Sequence, residues 1–324
     1  MKRAWVWPVL IAAPIVLAAL SLMVGKAATP LSAWIDHDDP RWAIIFELRA
    51  PRAILAILVG GALGLAGAAM QGYTRNPLAD PGVLGVSAMA ALGAVLTLYF
   101  GLAAATPWLL PVAAITGAIL GVLILMALSG LSGSAITFLL TGIVLQSVAG
   151  AAVALALSLA PNPWATQEII DWLMGSLTDR SYDDVRLALP FIAAGAALLF
   201  SLRRALDALS LGEASAVSLG TNLRRTQAIL AAGLGLAVGA CVAVTGVLGF
   251  VGLIAPHLLR PLTSGEPGRL LAPSAFGGAA LVLLADILVR ATPSAAEIKL
   301  GVALSAIGGP FFLLVLLAMR RRVA

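Results

Sequence analysis

The feature that most constrains this chain is a succession of long apolar runs that charged residues do not interrupt. The sequence divides into ten apolar runs, near residues 4–25, 53–71, 85–102, 108–129, 136–159, 187–202, 226–245, 247–262, 270–290 and 300–319. Eight of the ten contain no Asp, Glu, Lys or Arg. The eighth carries only Arg260, and the ninth carries Asp286 and Arg290, in each case close to an end. A helix needs about 20 apolar residues to cross the hydrocarbon core of a bilayer. The runs are continuously apolar rather than alternating at period two. This excludes a β-barrel and leaves helices as the way to satisfy every backbone group in lipid. The expected class is all-α: a polytopic membrane protein with about ten transmembrane helices in one domain over residues 1–324.

Composition agrees and closes other routes. Charged residues make up 11% of the chain, against about 25% in an average soluble domain. Hydrophobic residues make up 61%, too many for a soluble protein to cover its own surface with polar groups. A soluble enzyme, a disordered chain and a nucleic-acid-binding domain are excluded. The net charge of +5 belongs to loop Lys and Arg on a membrane protein. The single Cys241 excludes an internal disulfide framework and a cysteine metal cluster, and His37 and His257 leave little for a histidine site. No metal site is expected.

Residues 226–262 are too long for one crossing, so they divide into two spans near Thr245-Gly246. The first run follows Lys2-Arg3 but is too long for a signal-peptide core and lacks a small-x-small cleavage site, so it reads as a retained helix. Ten spans place both termini on one side. That side holds Lys2, Arg3, Arg75, Arg203, Arg204, Arg224, Arg225, Arg260, Arg269, Arg320, Arg321 and Arg322; the other holds eight, from Lys26 to Lys299. Twelve basic residues against eight place the termini in the cytoplasm. Gly60-x-x-x-Gly64, Gly117-x-x-x-Gly121 and Gly235-x-x-x-Gly239 predict close helix packing and carry no substrate information.

The chain lacks a phosphate-binding loop of the G-x-x-x-x-G-K-[ST] type, an H-E-x-x-H motif, and a mid-membrane carboxylate pair or Lys/His relay within a span. It reads as a pathway without an engine, so energy must come from a partner.

Four stretches carry a family resemblance. Leu48-Arg49-Ala50-Pro51-Arg52 opens the second span, which runs on through Gln71-Gly72 to Asn76-Pro77-Leu78-Ala79-Asp80-Pro81-Gly82 and Gly85-Val86-Ser87. Leu211-Gly212-Glu213-Ala214-Ser215-Ala216-Val217-Ser218-Leu219-Gly220 lies between the sixth and seventh spans. Gly249-Phe250-Val251-Gly252-Leu253-Ile254-Ala255-Pro256-His257-Leu258-Leu259-Arg260 forms the third, and Ala285-Asp286 through Arg290 and Glu297 to Pro310-Phe311-Phe312 the fourth. Together they resemble the FecCD-type permeases, the membrane subunits of type II ABC importers for iron–siderophore, haem and cobalamin. One departure is Glu297-Ile298-Lys299, where the family reads Glu-Leu-Pro.

The resemblance implies a homodimeric permease of the bacterial inner membrane with its pathway on the two-fold axis. Two ATPase subunits would dock from the cytoplasm and hold ATP and Mg; a periplasmic binding protein would dock outside. This chain would bind no cofactor and would not itself be an enzyme. The substrate would be an iron chelate, siderophore or haem, with cobalamin as the alternative; a stand-alone secondary transporter or channel is the rival from another class. The resemblance makes Arg49, Arg52 and Arg290 contacts for acidic residues of the binding protein. Arg49 and Arg52, three apart, share a helix face, and snorkelling to the interface is the other reading. Residues 203–225 would be the coupling segment, with Leu211, Gly212, Glu213, Ala216, Leu219 and Gly220 toward the ATPase, against an ordinary loop. Ser132-Gly133-Ser134 would be a cytoplasmic gate region, against a plain turn. His257 reads as a hydrogen-bonded structural residue. Asp286 and Arg290, four apart, read as a structural pair rather than a transport carboxylate. Residues 160–186, with Trp164, Trp172 and Tyr182, read as an amphipathic periplasmic cap.

Overall fold

A computed structural model describes residues 6–130, 134–263, 265–293 and 297–323. Every regular element among them is helical. The main helices are α1 (Val6–Met23), α2 (Ala50–Thr74), α3 (Val86–Tyr99), α4 (Leu109–Ser129), α5 (Ala135–Ser158), α6 (Pro163–Leu173) and α7 (Tyr182–Ser201). They continue with α8 (Arg203–Leu209), α9 (Glu213–Ser218), α10 (Leu223–Thr245), α11 (Val251–Leu259), α12 (Pro267–Ala291) and α13 (Leu300–Val323). Eight of the described helices are long and apolar enough to cross a membrane, and Val86–Tyr99 and Val251–Leu262 are shorter apolar helices. These ten elements fall where the charge-free runs predict them.

The centre of the bundle is α2 and α10, each with 78% of its apolar window buried. Their sequences explain the placement. Both are built largely from Ala, Gly and Leu, and small residues let neighbouring backbones approach. A Cβ at Gly60 would overlap the carbonyl of Gly278, and one at Gly64 would overlap that of Ser274, so α2 lies directly against α12. Gly117 meets the Met89 carbonyl of α3, while Gly235 and Gly239 meet Val122 and Ala118 of α4. The three small-residue motifs thus each sit at a close contact. Outside this centre, α1 and α5 bury only 17% and 22% of their windows. Their remaining apolar surface faces lipid or another chain.

Two expectations are corrected. The third run, 85–102, folds as α3, whose 14 residues rise about 21 Å. The eighth, 247–262, folds as the nine-residue α11 and a 3-10 turn, Arg260–Leu262. The chain leading into each turns inside the bundle: Ala79, Pro81 and Leu84 are buried before α3, and Gly246 and Leu248 before α11. Irregular backbone is tolerated at membrane depth only under such cover. The expected break near Thr245-Gly246 is present: α10 ends at Thr245, and Gly246 has φ +70°. That φ, and the Trp172 carbonyl that a Cβ there would overlap, leave room only for glycine.

Candidate functional site

The chain places polar chemistry at three levels: the end expected to face outward, here the outer end; the opposite, inner end; and the exposed face of α5. At the outer end, helix α1 terminates with carbonyls that have no partner within the helix. Arg49, at the N-terminal edge of α2, turns inward to satisfy them. Its Nη1 donates to Leu22 O at 2.9 Å, Met23 O at 3.0 Å and Thr29 Oγ1 at 3.0 Å, and its Nη2 donates to Ala27 O at 2.6 Å. Arg290, the next-to-last residue of α12, completes the cap: Nη1 donates to Ser21 O at 2.9 Å and Val24 O at 2.8 Å. Cations suit the negative end of a helix dipole, so sequence and local electrostatics agree here.

Asp286 ties the arginines together. It is fully buried and pairs with Arg52 Nη2 at 2.8 Å and Arg290 Nη2 at 3.0 Å. The predicted Asp286–Arg290 pair is therefore present, and Arg52 is its third member. Arg52 also pairs with Glu297, whose segment departs from the family pattern at Ile298-Lys299. The three expected docking arginines come together, with their guanidinium groups engaged by the protein's own carbonyls and carboxylates. Their outward edges, with Lys26 and Arg180, line an outer pocket of about 270 Å³ that also holds Asp179 and Glu297. Five cations and two carboxylates stand on its wall, with Asp286 and Asp184 paired to Arg52, Arg290 and Arg180 behind it.

The cap over this end is as expected in outline. The amphipathic α6 is N-capped by Asn162, whose Oδ1 accepts from Ala165 N at 2.9 Å. Trp164 is 85% exposed, Tyr182 donates to Phe46 O at 2.9 Å, and Trp172 packs into the core.

At the inner end, residues 203–225 fold as the two short helices α8 and α9. Gly212 and Gly220 have φ of +100° and +84°, so the turns flanking α9 need glycine. Leu211 and Leu219 are each 66% exposed, an unusual position for leucine on a water-facing loop. Glu213 pairs with Arg75 at 3.7 Å. Ala216 is fully buried and holds α9 onto the bundle instead of facing outward. Leu211, Leu219 and Gly220 line a groove of about 740 Å³ with Arg204, Asp207 and Arg225. Asp207 also accepts from Gly268 N at 2.7 Å, joining α8 to the start of α12.

Of the expected gate residues, Ser132 and Gly133 lie outside the described residues. Ser134 N-caps α5, its Oγ accepting from Thr137 N at 3.4 Å. Next to it, Gln227 of α10 donates to Ser129 Oγ and Gly130 O, both at 3.2 Å. Gln71 accepts from Arg260 Nη2 at 2.6 Å and links α2 to the end of α11. His257 sits edge-on to Phe311 and has a buried, unpaired Nδ1. Among the described residues, no group of three His, Cys, Asp or Glu could hold a metal ion.

Sequence reasoning missed Gln71, Gln227 and Gln146. The signal was available, since an amide inside a charge-free span is costly unless paired or wetted. Gln146 stands at the middle of α5 and is exposed, as is its neighbour Ser147.

A helical bundle with a cation-rich outer pocket, a groove of leucines and charged side chains at its inner end and a polar patch halfway along an exposed helix fits a polytopic membrane transport subunit. The chain belongs to the FecCD transport family, which it matches over residues 13–318. It is 37% identical over 292 residues to the hemin transport system permease protein HmuU of Yersinia pestis, covering 88% of this chain and 86% of that protein. It is 35% identical over 311 residues to the vitamin B12 import system permease protein BtuC of Vibrio vulnificus, covering 95% and 92%. A solved structure described as an inward-facing conformation of a metal-chelate type ABC transporter superimposes with a TM-score of 0.86 at 29% identity, covering 95% of this chain and 97% of that one.

Proposed function

We propose that this chain is the permease subunit of an ATP-driven importer that moves an iron chelate, a siderophore complex or haem, into the cytoplasm. The whole-length family match carries the reading, because it spans both the outer pocket and the inner groove. Two copies would assemble about a two-fold axis with α5 along the pathway. The support is the exposure of Gln146 and Ser147 midway along a helix that is otherwise apolar. The Gln146 amide has no hydrogen-bond partner among the described residues, and burying it in lipid would cost about 2–7 kcal/mol. A wetted pathway removes that cost.

Two separate ATPase subunits would seat on Leu211, Gly212, Glu213, Leu219 and Gly220 of residues 203–225. They would hold ATP and Mg, and their cycle would bias the permease between its inward- and outward-open states. A periplasmic binding protein would insert an acidic side chain into the pocket of Arg49, Arg52 and Arg290. Ser134, with Ser132 and Gly133, would border the cytoplasmic gate. The chain would sit in the bacterial inner membrane with both termini in the cytoplasm, as the excess of Lys and Arg on that side indicates. Cobalamin is the second reading, favoured by the 35% identity to the vitamin B12 permease over 95% of the chain.

Uptake into proteoliposomes tests the proposal. The permease would be reconstituted with its ATPase and binding protein and offered haem, ferric siderophore or cobalamin. ATP-dependent accumulation of an iron chelate is expected. Cobalamin uptake alone would select the second reading, and uptake without any ATPase would sink the importer assignment.

A further inference from the structure

Residues 75–85 link α2 to α3, yet they do not stay at the inner surface. A Cβ on Gly252 would meet Pro81 Cδ at 2.8 Å and Leu63 O at 3.1 Å, so Pro81 lies beside Leu63. Leu63 is 11 residues from the inner end of α2, which places it about 16 Å up that helix. The hydrocarbon core is about 30 Å thick, so the 3-10 turn Pro81–Leu84 sits near its middle. Two further glycine contacts agree: Gly142 of α5 packs on Leu84, and Gly85 packs on the Gln146 backbone. The segment is a re-entrant hairpin.

Its carboxylate, Asp80, lines a cavity of about 270 Å³ together with Ser87, Gln146 and Gly150. Gln146 and Gly150 are exposed, so the cavity opens on the α5 side. One Asp80 oxygen accepts from Gly82 N at 2.8 Å. Among the described residues no cation pairs with Asp80, and neither Ser87 Oγ nor the Gln146 amide has a hydrogen-bond partner. Ionisable groups at this depth are found facing water-filled cavities or pathways. Three polar groups with free valences on one mid-membrane cavity need a ligand or water. The local turn accounts for only one of the carboxylate's two oxygens.

We propose that Asp80, Ser87 and Gln146 form a mid-membrane subsite for cationic or hydrogen-bond-donating groups of a passing ligand, such as ammonium, amide or hydroxyl groups. The subsite disfavours polyanions. This deepens the importer reading, because it places the subsite on the proposed pathway, but its test needs neither ATPase, binding protein nor substrate.

The probes are two thiosulfonate reagents of similar size, one bearing a quaternary ammonium and the other a sulfonate. The full chain, carrying Cys241→Ala and Ser87→Cys, would be reconstituted in lipid and its modification rates measured, with and without Asp80→Asn. Asn keeps the turn's capping oxygen, so thermal stability should not change. A unit charge about 6 Å away at an effective dielectric near 40 changes each reagent's local concentration about tenfold, in opposite directions. The ratio of cationic to anionic rates should therefore fall about a hundredfold on removing the carboxylate. Gln146→Cys provides a second reporter if Ser87→Cys folds poorly. A ratio that ignores Asp80→Asn, or failure of both reagents to modify either introduced thiol, would overturn the proposal. Neither outcome touches the importer reading, which the uptake assay decides separately.

Discussion

Asp286 illustrates how one residue can decide the role of its neighbours. It is wholly buried between Arg52 and Arg290, and its two oxygens face both guanidinium groups. Removing one partner of a buried pair leaves an uncompensated charge, at about 3–5 kcal/mol. Here two arginines would be stranded together. Asp286→Ala should therefore lower the midpoint of thermal unfolding in detergent by several degrees, whereas Asp286→Glu, which keeps the charge, should lower it less. Fluorescence-monitored melting of both variants checks this, and equal melting of Asp286→Ala and wild type would show that the cluster is not structural. Arg41, in contrast, pairs with Asp39 on the exposed outer loop and holds that carboxyl below the usual carboxylate range. Its replacement should leave the melting midpoint unchanged, because exposed pairs contribute about 0–1 kcal/mol.

At the scale of elements, the packing glycines separate into those that carry an interface and those that do not. Gly60 and Gly64 hold α2 against the α12 backbone, where a Cβ would overlap a carbonyl. Gly309 of α13 has open space at the same position. Gly64→Val should abolish recovery of folded protein, while Gly309→Ala should be neutral, as judged by monodisperse yield on size exclusion. Elements were also where the sequence was most legible. Eight long helices are readable because each is a long, continuously apolar run, and the Asp286–Arg290 pair is readable because four residues make about one helical turn. The shortness of α3 and α11 is not readable, since re-entrant backbone buried in protein is as apolar as a span. Arg52–Asp286 is not readable either, because the two residues are 234 apart in the chain. Helices α8 and α9 fall between. Their glycines and small residues announce short helices, while the burial of Ala216 depends on packing that no local pattern encodes. The exposed pair Leu211 and Leu219 should carry docking, so Leu211→Arg with Leu219→Arg should strip the ATPase on co-purification without shifting the permease's own melting. Loss of melting stability in that double variant would instead make the leucines part of the fold.

For the whole molecule, the question is how one surface that holds α1 in place could also receive the proposed binding protein. The arginines Arg49, Arg52 and Arg290 cap and pair internally, yet their edges wall a cationic pocket with Lys26 and Arg180. Reversing Arg49 and Arg52 together would test docking and folding at once, and the two effects would be confounded. Lys26 separates them, because it is exposed on the rim, where a surface ion contact contributes only about 0–1 kcal/mol. Rim charges act chiefly on association rate and its salt dependence. An acidic binding protein docking as proposed would approach past Asp171, Asp179 and Asp183, so the local cations would have to outweigh that repulsion. Lys26→Glu should therefore slow association of the binding protein several-fold at low salt and much less near 0.5 M salt, where the Debye length falls to about 4 Å. Its melting midpoint should match wild type. Arg49→Glu with Arg52→Glu should slow association further and also lower the midpoint, because α1 loses its cap and Asp286 loses a partner. ATPase docking on the opposite face should be unchanged in Lys26→Glu. Surface plasmon resonance at two salt concentrations, alongside melting, reads all of these. If Lys26→Glu associates like wild type at low salt while the double variant only loses stability, the outer cluster is a structural clamp and the binding protein docks elsewhere.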